Sequence, residues 1–193
     1  IPMNEVYQKT LSKEVTFQGI GLHSGKNAIM KLLPGKEDQG IVFKRVDLST
    51  NNLIKANFNN VSSARLCTTL ENNHGVKVST VEHLMAAFYI AGVDNALVEI
   101  NSDEVPIMDG SSKDFLDVLQ KTDLVNQIKK RKYLKIFDKI KLVDGKRKIS
   151  IEPNKQSLEV DFQLDYESKI IGKQKNVVDF QKNNLEQVSS SRT

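Results

Sequence analysis

The stretch Val78-Ser79-Thr80-Val81-Glu82-His83-Leu84-Met85-Ala86-Ala87 restricts this chain more than any other, because it sets a carboxylate beside an imidazole where apolar sequence begins. Ser79 followed three residues later by Glu82 is a capping-box pattern, in which two side chains satisfy free backbone N–H groups at a helix start. Leu84, Met85, Ala86, Ala87, Phe88 and Ile90 continue as a helix predicted to be buried nearly all round, and Gly92 supplies its stop. Successive helical residues point about 100° apart, so His83 can hold a metal while Glu82 flanks whatever that metal binds. The plainer reading is a capping Glu82 and a hydrogen-bonded core His83, and the window alone leaves both open.

Length and composition narrow the frame. The 193 residues hold one ordinary domain, or one domain and part of another. The 39% hydrophobic and 27% charged content is that of a soluble globular chain. The longest apolar run, Leu84 to Val93, is too short to cross a bilayer, so no transmembrane segment is expected. No signal-peptide pattern opens the chain, and Ile1-Pro2 ahead of Met3 reads as an appended remnant. A single cysteine, Cys67, excludes an internal disulfide and suits a reducing cytoplasm. The net charge of +4 has a local source: Lys129 to Lys148 holds ten Lys or Arg against Asp138 and Asp144. Only Tyr133 and Phe137 interleave them, which argues against a nucleic-acid face and for a solvated linker and hairpin.

Along the chain, Leu11, Val15 and Phe17 alternate into a glycine-rich turn, Gln18 to Lys26, and Asn27 to Leu33 returns as a strand. Gly25-Lys26 is no phosphate loop, since Ile20 and Asn27 stand where such a loop needs glycine and Ser or Thr. A tight hairpin presenting His23 is expected instead. Gly40 to Leu48 alternates, a short strand is expected near Ile54 to Phe58, and Asn72-Asn73-His74-Gly75 joins strands Leu66 to Leu70 and Val76 to Val78, with His74 a turn residue. Ala96 to Ile100 reads as a buried strand. The loop Glu104 to Ser112 ends in cap-forming residues before Phe115, Leu116 and Leu119 at helical spacing, and Asp109 within it is either a turn-maker or a site carboxylate. A second pattern begins at Tyr133: a hairpin turning at Asp144-Gly145, an alternating Leu158 to Tyr166, and a helix starting somewhere in Phe180 to Val188.

Three chemistries fit these residues. In a metal hydrolase His83 is one ligand and Glu82 the general base toward an activated water; catalytic zinc wants three protein ligands and an open position, and no second histidine sits at helical ligand spacing from His83. A cysteine hydrolase would use Cys67 with a histidine, although Cys67 falls inside the expected strand Leu66 to Leu70, where cysteine behaves as a small buried hydrophobe. A non-catalytic module would hold anions, or another partner, through Lys129 to Lys148.

Four separated stretches favour the first. Thr10-Leu11 with Gly19-Ile20-Gly21-Leu22-His23-Ser24-Gly25, Leu66-Cys67-Thr68-Thr69, Ser79-Thr80-Val81-Glu82-His83-Leu84, and Val93-Asp94-Asn95 with Glu104-Val105-Pro106-Ile107-Met108-Asp109-Gly110-Ser111 keep an order and spacing. Together they resemble the UDP-3-O-acyl-N-acetylglucosamine deacetylase family, the zinc amidases of lipid A biosynthesis. Ser191-Arg192-Thr193 extends the likeness to the last residue.

The resemblance implies an α+β fold of two similar domains, each a sheet with helices on one face, the helices sandwiched between the two sheets. The expected division is 1–128 for the first domain and 129–193 for a linker and an incomplete second. It implies zinc as cofactor and release of acetate from an acylated UDP-N-acetylglucosamine substrate. His83 matches a zinc ligand, Glu82 the general base, and Thr193 a hydroxyl that stabilises the oxyanion. His23 and Asp109 match polar substrate-side residues, and Cys67 with its neighbours matches the segment lining the cleft. The family's other zinc ligands, its acid histidine, a nucleotide-binding lysine and the acyl-chain insert fall beyond Thr193. The expected partner is therefore the C-terminal remainder of the enzyme, and the alternative is a catalytically inactive fragment acting through its basic run.

Overall fold

The computed structural model describes residues 6–155, 157–182 and 185–193; the Ile1-Pro2 reading lies outside the described residues. The chain is α+β and divides into two compact units. One runs to Arg131 and takes back Ser189–Thr193, and the other is Lys132–Val188.

The first unit holds β1 (Tyr7–Leu11), β2 (Val15–Ile20), β3 (Asn27–Pro34), β4 (Ile41–Arg45), β5 (Leu53–Lys55), a 3₁₀ turn at Phe58–Asn60, β6 (Val61–Ser63), β7 (Thr69–Glu71), β8 (Lys77–Ser79), α1 (Glu82–Ala91), β9 (Ala96–Ile100), α2 (Lys113–Lys121) and β10 (Leu124–Lys130). Five strands form a sheet in the order β2-β3-β9-β4-β5, antiparallel except for the parallel β4–β9 pair. A parallel pair needs a long crossover, and the chain between β4 and β9 carries α1 across it. Alternation gives the sheet one apolar face: Ala28, Met30 and Leu32 of β3 are fully buried while Ile29 and Lys31 are exposed. Leu84, Ala87 and Phe88 of α1 and Phe115, Leu116 and Leu119 of α2 join the same core, with the Phe115 ring edge-on to Phe17 at 5.1 Å between centroids.

The helix start differs from the capping-box expectation. Ser79 ends β8, where its hydroxyl accepts from Thr69, and α1 begins after Val81 with no side-chain cap. Glu82 is instead taken by the backbone N–H of Thr68, 3.1 Å away, because strand pairing has already claimed Ser79. Nor is α1 buried all round: Ala86 and Tyr89 are exposed, since the sheet and α2 cover only one side. Gly92 does end it, at φ 82°, a left-handed conformation that glycine adopts without cost, donating to Phe88.

Val93-Asp94-Asn95 turns out to fasten strands. Asp94 receives both Nε and Nη of Arg131 at 2.8 and 2.9 Å and the N–H of Lys9 at 2.8 Å. Asn95, 2% exposed, donates to Gln8 and Gln127 and accepts from Gly40. These bonds tie β1 and β10, which pair antiparallel, to the end of α1.

The β7–β8 hairpin forms as expected around Asn72, whose side chain accepts from the N–H groups of His74 and Val76. Its first strand is shorter than expected, Thr69–Glu71, which leaves Cys67 in a bend after Leu66 at φ 65° and only half-buried. The strand expectation for Cys67 is thus corrected. β10 was not legible as a strand, since Leu124–Lys130 alternates poorly.

In the second unit, β11 (Ile140–Asp144) and β12 (Arg147–Ile151) form the expected hairpin, and β13 (Glu159–Asp165) pairs with β14 (Lys173–Asp179). The expected helix in Phe180 to Val188 shrinks to α3 (Glu186–Ser189); residues 183 and 184 lie outside the described residues. Among the described residues, no helix is long and apolar enough to cross a membrane.

Candidate active site

Two half-buried side chains, Glu82 and His83, open α1. His83 Nε2 lies 3.0 Å from Thr193 Oγ1, a contact between residues 110 positions apart, and the tautomer sets which of the two donates. Thr193 is held there through its own N–H, which donates to the Gly110 carbonyl at 2.9 Å, while the Ser112 N–H donates to Ser189 at 3.0 Å. The loop before α2 therefore seats the Ser189–Thr193 segment against the start of α1. On the other side the Thr68 amide fixes the Glu82 carboxylate. Of the residues expected in the site, His83 and Thr193 thus meet, and Glu82 precedes His83 on the helix.

His23 and Cys67 come together separately, lining a cleft of about 250 Å³ with Ser24, Ser79, Asp103 and Glu104. Cys67 is joined to the first cluster through its neighbour Thr68. Asp109 lies in neither group. Its carboxylate accepts from the hydroxyl and N–H of Ser111 at 2.6 and 2.9 Å, so it is a turn-maker before α2. The Ser111 hydroxyl bond, with the Ser111 amide and nearby Arg192, holds the carboxyl below the usual carboxylate range against the cost of desolvation.

Glu104 went unassigned in the sequence, although it is the most enclosed carboxylate of the region at 2% exposed. Burial pushes its pKa up, but bonds from the His23 and Ser24 amides and the Ser24 and Thr80 hydroxyls outweigh that and hold it below the ordinary value. Only its run of flanking apolar residues, Val105-Pro106-Ile107, hinted at enclosure. Backbone strain collects around the same residues: Leu66, Thr80 and Met108 stand at φ 65°, 58° and 54°, a region non-glycine residues seldom enter.

Among the described residues, no three His, Cys, Asp or Glu side chains gather as a metal would need. This chain offers one imidazole with a carboxylate beside it, which falls short of the three protein ligands of a catalytic zinc site. At least four of the ten cations in the basic run are paired with acids: Lys129 with Asp38, Arg131 with Asp94, Lys139 with Glu152 and Arg147 with Asp144.

Fold and cluster define an α+β protein with an acid, an imidazole and a hydroxyl gathered at one helix start. A profile of UDP-3-O-acyl N-acetylglycosamine deacetylase matches residues 8–193, and the chain belongs to that family. Relatives bearing the name UDP-3-O-acyl-N-acetylglucosamine deacetylase agree. That of Ruthia magnifica subsp. Calyptogena magnifica is 42% identical over 192 residues, 97% of this chain and 62% of the relative. That of Geotalea uraniireducens (strain Rf4) is 39% identical over 188 residues, 97% and 61%. That of Shewanella frigidimarina (strain NCIMB 400) is 38% identical over 177 residues, 91% and 58%. The chain spans about three-fifths of the length of these curated relatives.

Proposed function

We propose that this chain carries the general base, one metal ligand and part of the substrate cleft of a zinc-dependent amidase that removes acetate from an acylated UDP-N-acetylglucosamine, a step of lipid A biosynthesis. The observation that carries the reading is the contact between His83 and Thr193, with His83 Nε2 3.0 Å from the threonine hydroxyl and Glu82 the preceding residue on α1. Family membership and the relatives' shared name support the amide-hydrolase class.

In this reading zinc, when bound, polarises the acetamide carbonyl and acidifies water. His83 would be one of its holders, with the others supplied by residues outside this chain. Glu82, steadied by the Thr68 amide, takes the proton from the attacking water, and general-base catalysis of this kind contributes about 10²–10⁴-fold. Thr193 donates its hydroxyl to the oxygen on which negative charge develops. His23 and Cys67 line the cleft for the sugar nucleotide.

The test is acetate release and zinc stoichiometry in the complete enzyme, meaning this chain joined to the portion that the relatives carry in addition. Glu82→Gln is expected to lower kcat by about 10²–10⁴-fold while zinc binding persists. Full activity in that variant removes the base assignment.

A further inference from the structure

We propose that Glu104 is a positioning residue that fixes the His23–Ser24 turn against the segment leading into α1, so that His23 is held at the cleft it lines with Cys67. The inference rests on the functional reading above. Its geometry is independent of it.

Glu104 is anchored at both levels. Its backbone bridges Ser79, with the Ser79 N–H donating to Asp103 at 2.9 Å and the Val105 N–H donating to Ser79 at 3.0 Å. Its side chain then spans two elements. The His23 N–H reaches both carboxylate oxygens, at 3.0 and 3.2 Å, and the Ser24 N–H reaches Oε2 at 2.7 Å. On the other side the Thr80 hydroxyl donates to Oε1 at 2.8 Å. Two consecutive amides aimed at one carboxylate hold a turn in a single shape, as anion-binding backbone nests do.

Both ends of the brace carry signs that it is specific. A side chain on Gly21 would collide with the Glu104 carboxylate and the Ser24 hydroxyl, so the turn is built around the acid. Thr80, two residues before Glu82, keeps a left-handed φ of 58° that its branched side chain disfavours, and its hydroxyl is the group that Glu104 receives. A buried carboxylate is costly unless its oxygens are bonded; here each bond lands on a segment that carries a site residue. His23 is exposed on that turn and shares the cleft with Cys67 and Glu104.

Glu104→Leu removes every acceptor and Glu104→Gln retains one oxygen for the turn amides. Thr80→Val removes only the helix-side arm, and Thr80→Ser keeps it. In the complete enzyme Glu104→Leu is expected to lower kcat/KM by about 10- to 100-fold, the scale of a small misplacement of a reacting group. Glu104→Gln and Thr80→Ser should recover most of that loss, and Thr80→Val should show an intermediate one. With His23→Ala already present, Glu104→Leu should add little, because the turn it places no longer carries an imidazole. Amide exchange of His23 and Ser24 should accelerate at least about tenfold in Glu104→Leu, while that of the β3 strand holds.

Equal losses in both His23 backgrounds, or unchanged kcat/KM in Glu104→Leu, overturn the proposal. If Glu104→Leu does not fold, Thr80→Val against Thr80→Ser decides through the same comparison. A complete enzyme that binds zinc but releases no acetate sinks the functional reading. In that case the exchange of the His23 and Ser24 amides still shows whether the brace exists.

Discussion

The two units use the same strand chemistry and reach opposite degrees of burial. In the first, alternation in β2, β3, β4 and β9 delivers Phe17, Met30, Phe43 and Val98 into one core with α1 and α2. In the second, the cross-strand pairs Ile140–Ile151 and Leu142–Ile149 lie on one face of a well-registered hairpin, yet all four side chains are exposed, as are Val160 and Phe162. Pairing and turn geometry suffice to make strands; burial needs a second layer. The site residues belong to the packed unit, and so do the left-handed Thr80 and Met108, the first buried and the second packed against the core. Strain of that kind persists only where surrounding packing over-determines it.

The first unit is most sensitive at Phe115, which is fully buried against Phe17. Phe115→Ala is expected to destabilise the first unit by about 3–5 kcal/mol, read as the urea midpoint of its amide exchange. A loss below 1 kcal/mol, on the order of a surface change, would mean that this core does not hold the site.

Acid is expected to act on the first unit next. The folded pKa of Glu104 lies below its ordinary 4.5, so its contribution is present above pH 4.5 and disappears as pH falls through the lower folded value. Urea midpoints of the first unit should therefore drop as pH falls below 4.5, and Glu104→Gln should flatten that drop. An unchanged slope in the variant would remove Glu104 from the acid response.

The smallest effect is expected at Phe162, 53% exposed. Phe162→Ala should shift stability by no more than about 0.5 kcal/mol in the chain as described. A loss approaching that of Phe115→Ala would show that a further layer covers the second unit, and the contrast would narrow.

Much of this was legible in the sequence because it is local. Asn72-Asn73-His74-Gly75 and Asp144-Gly145 announce their hairpins, and Gly92 its helix end. What failed were choices settled by distant partners. Ser79 looks like a cap until β7 pairs with its strand, and Glu82 looks like the cap's companion until Thr68 arrives. β10 is recognisable only once β1 lies beside it, because Asn126, Gln127 and Lys129 give no alternation. In the site, Glu82 and His83 are neighbours and their pairing is plain. That Thr193 joins them came from the resemblance, since no local pattern encodes a contact 110 residues long. Glu104 was missed for the same reason: its turn-side donors, His23 and Ser24, lie 81 and 80 residues upstream, and Thr80 lies 24.

Because Ser189–Thr193 returns to a unit whose other residues end at Arg131, the ribosome must make Lys132–Val188 before the Thr193 hydroxyl can reach His83. At about 5–20 residues per second that interval lasts several seconds. Throughout it the nascent first unit has its core sequence complete but lacks the hydroxyl that His83 meets in the folded chain.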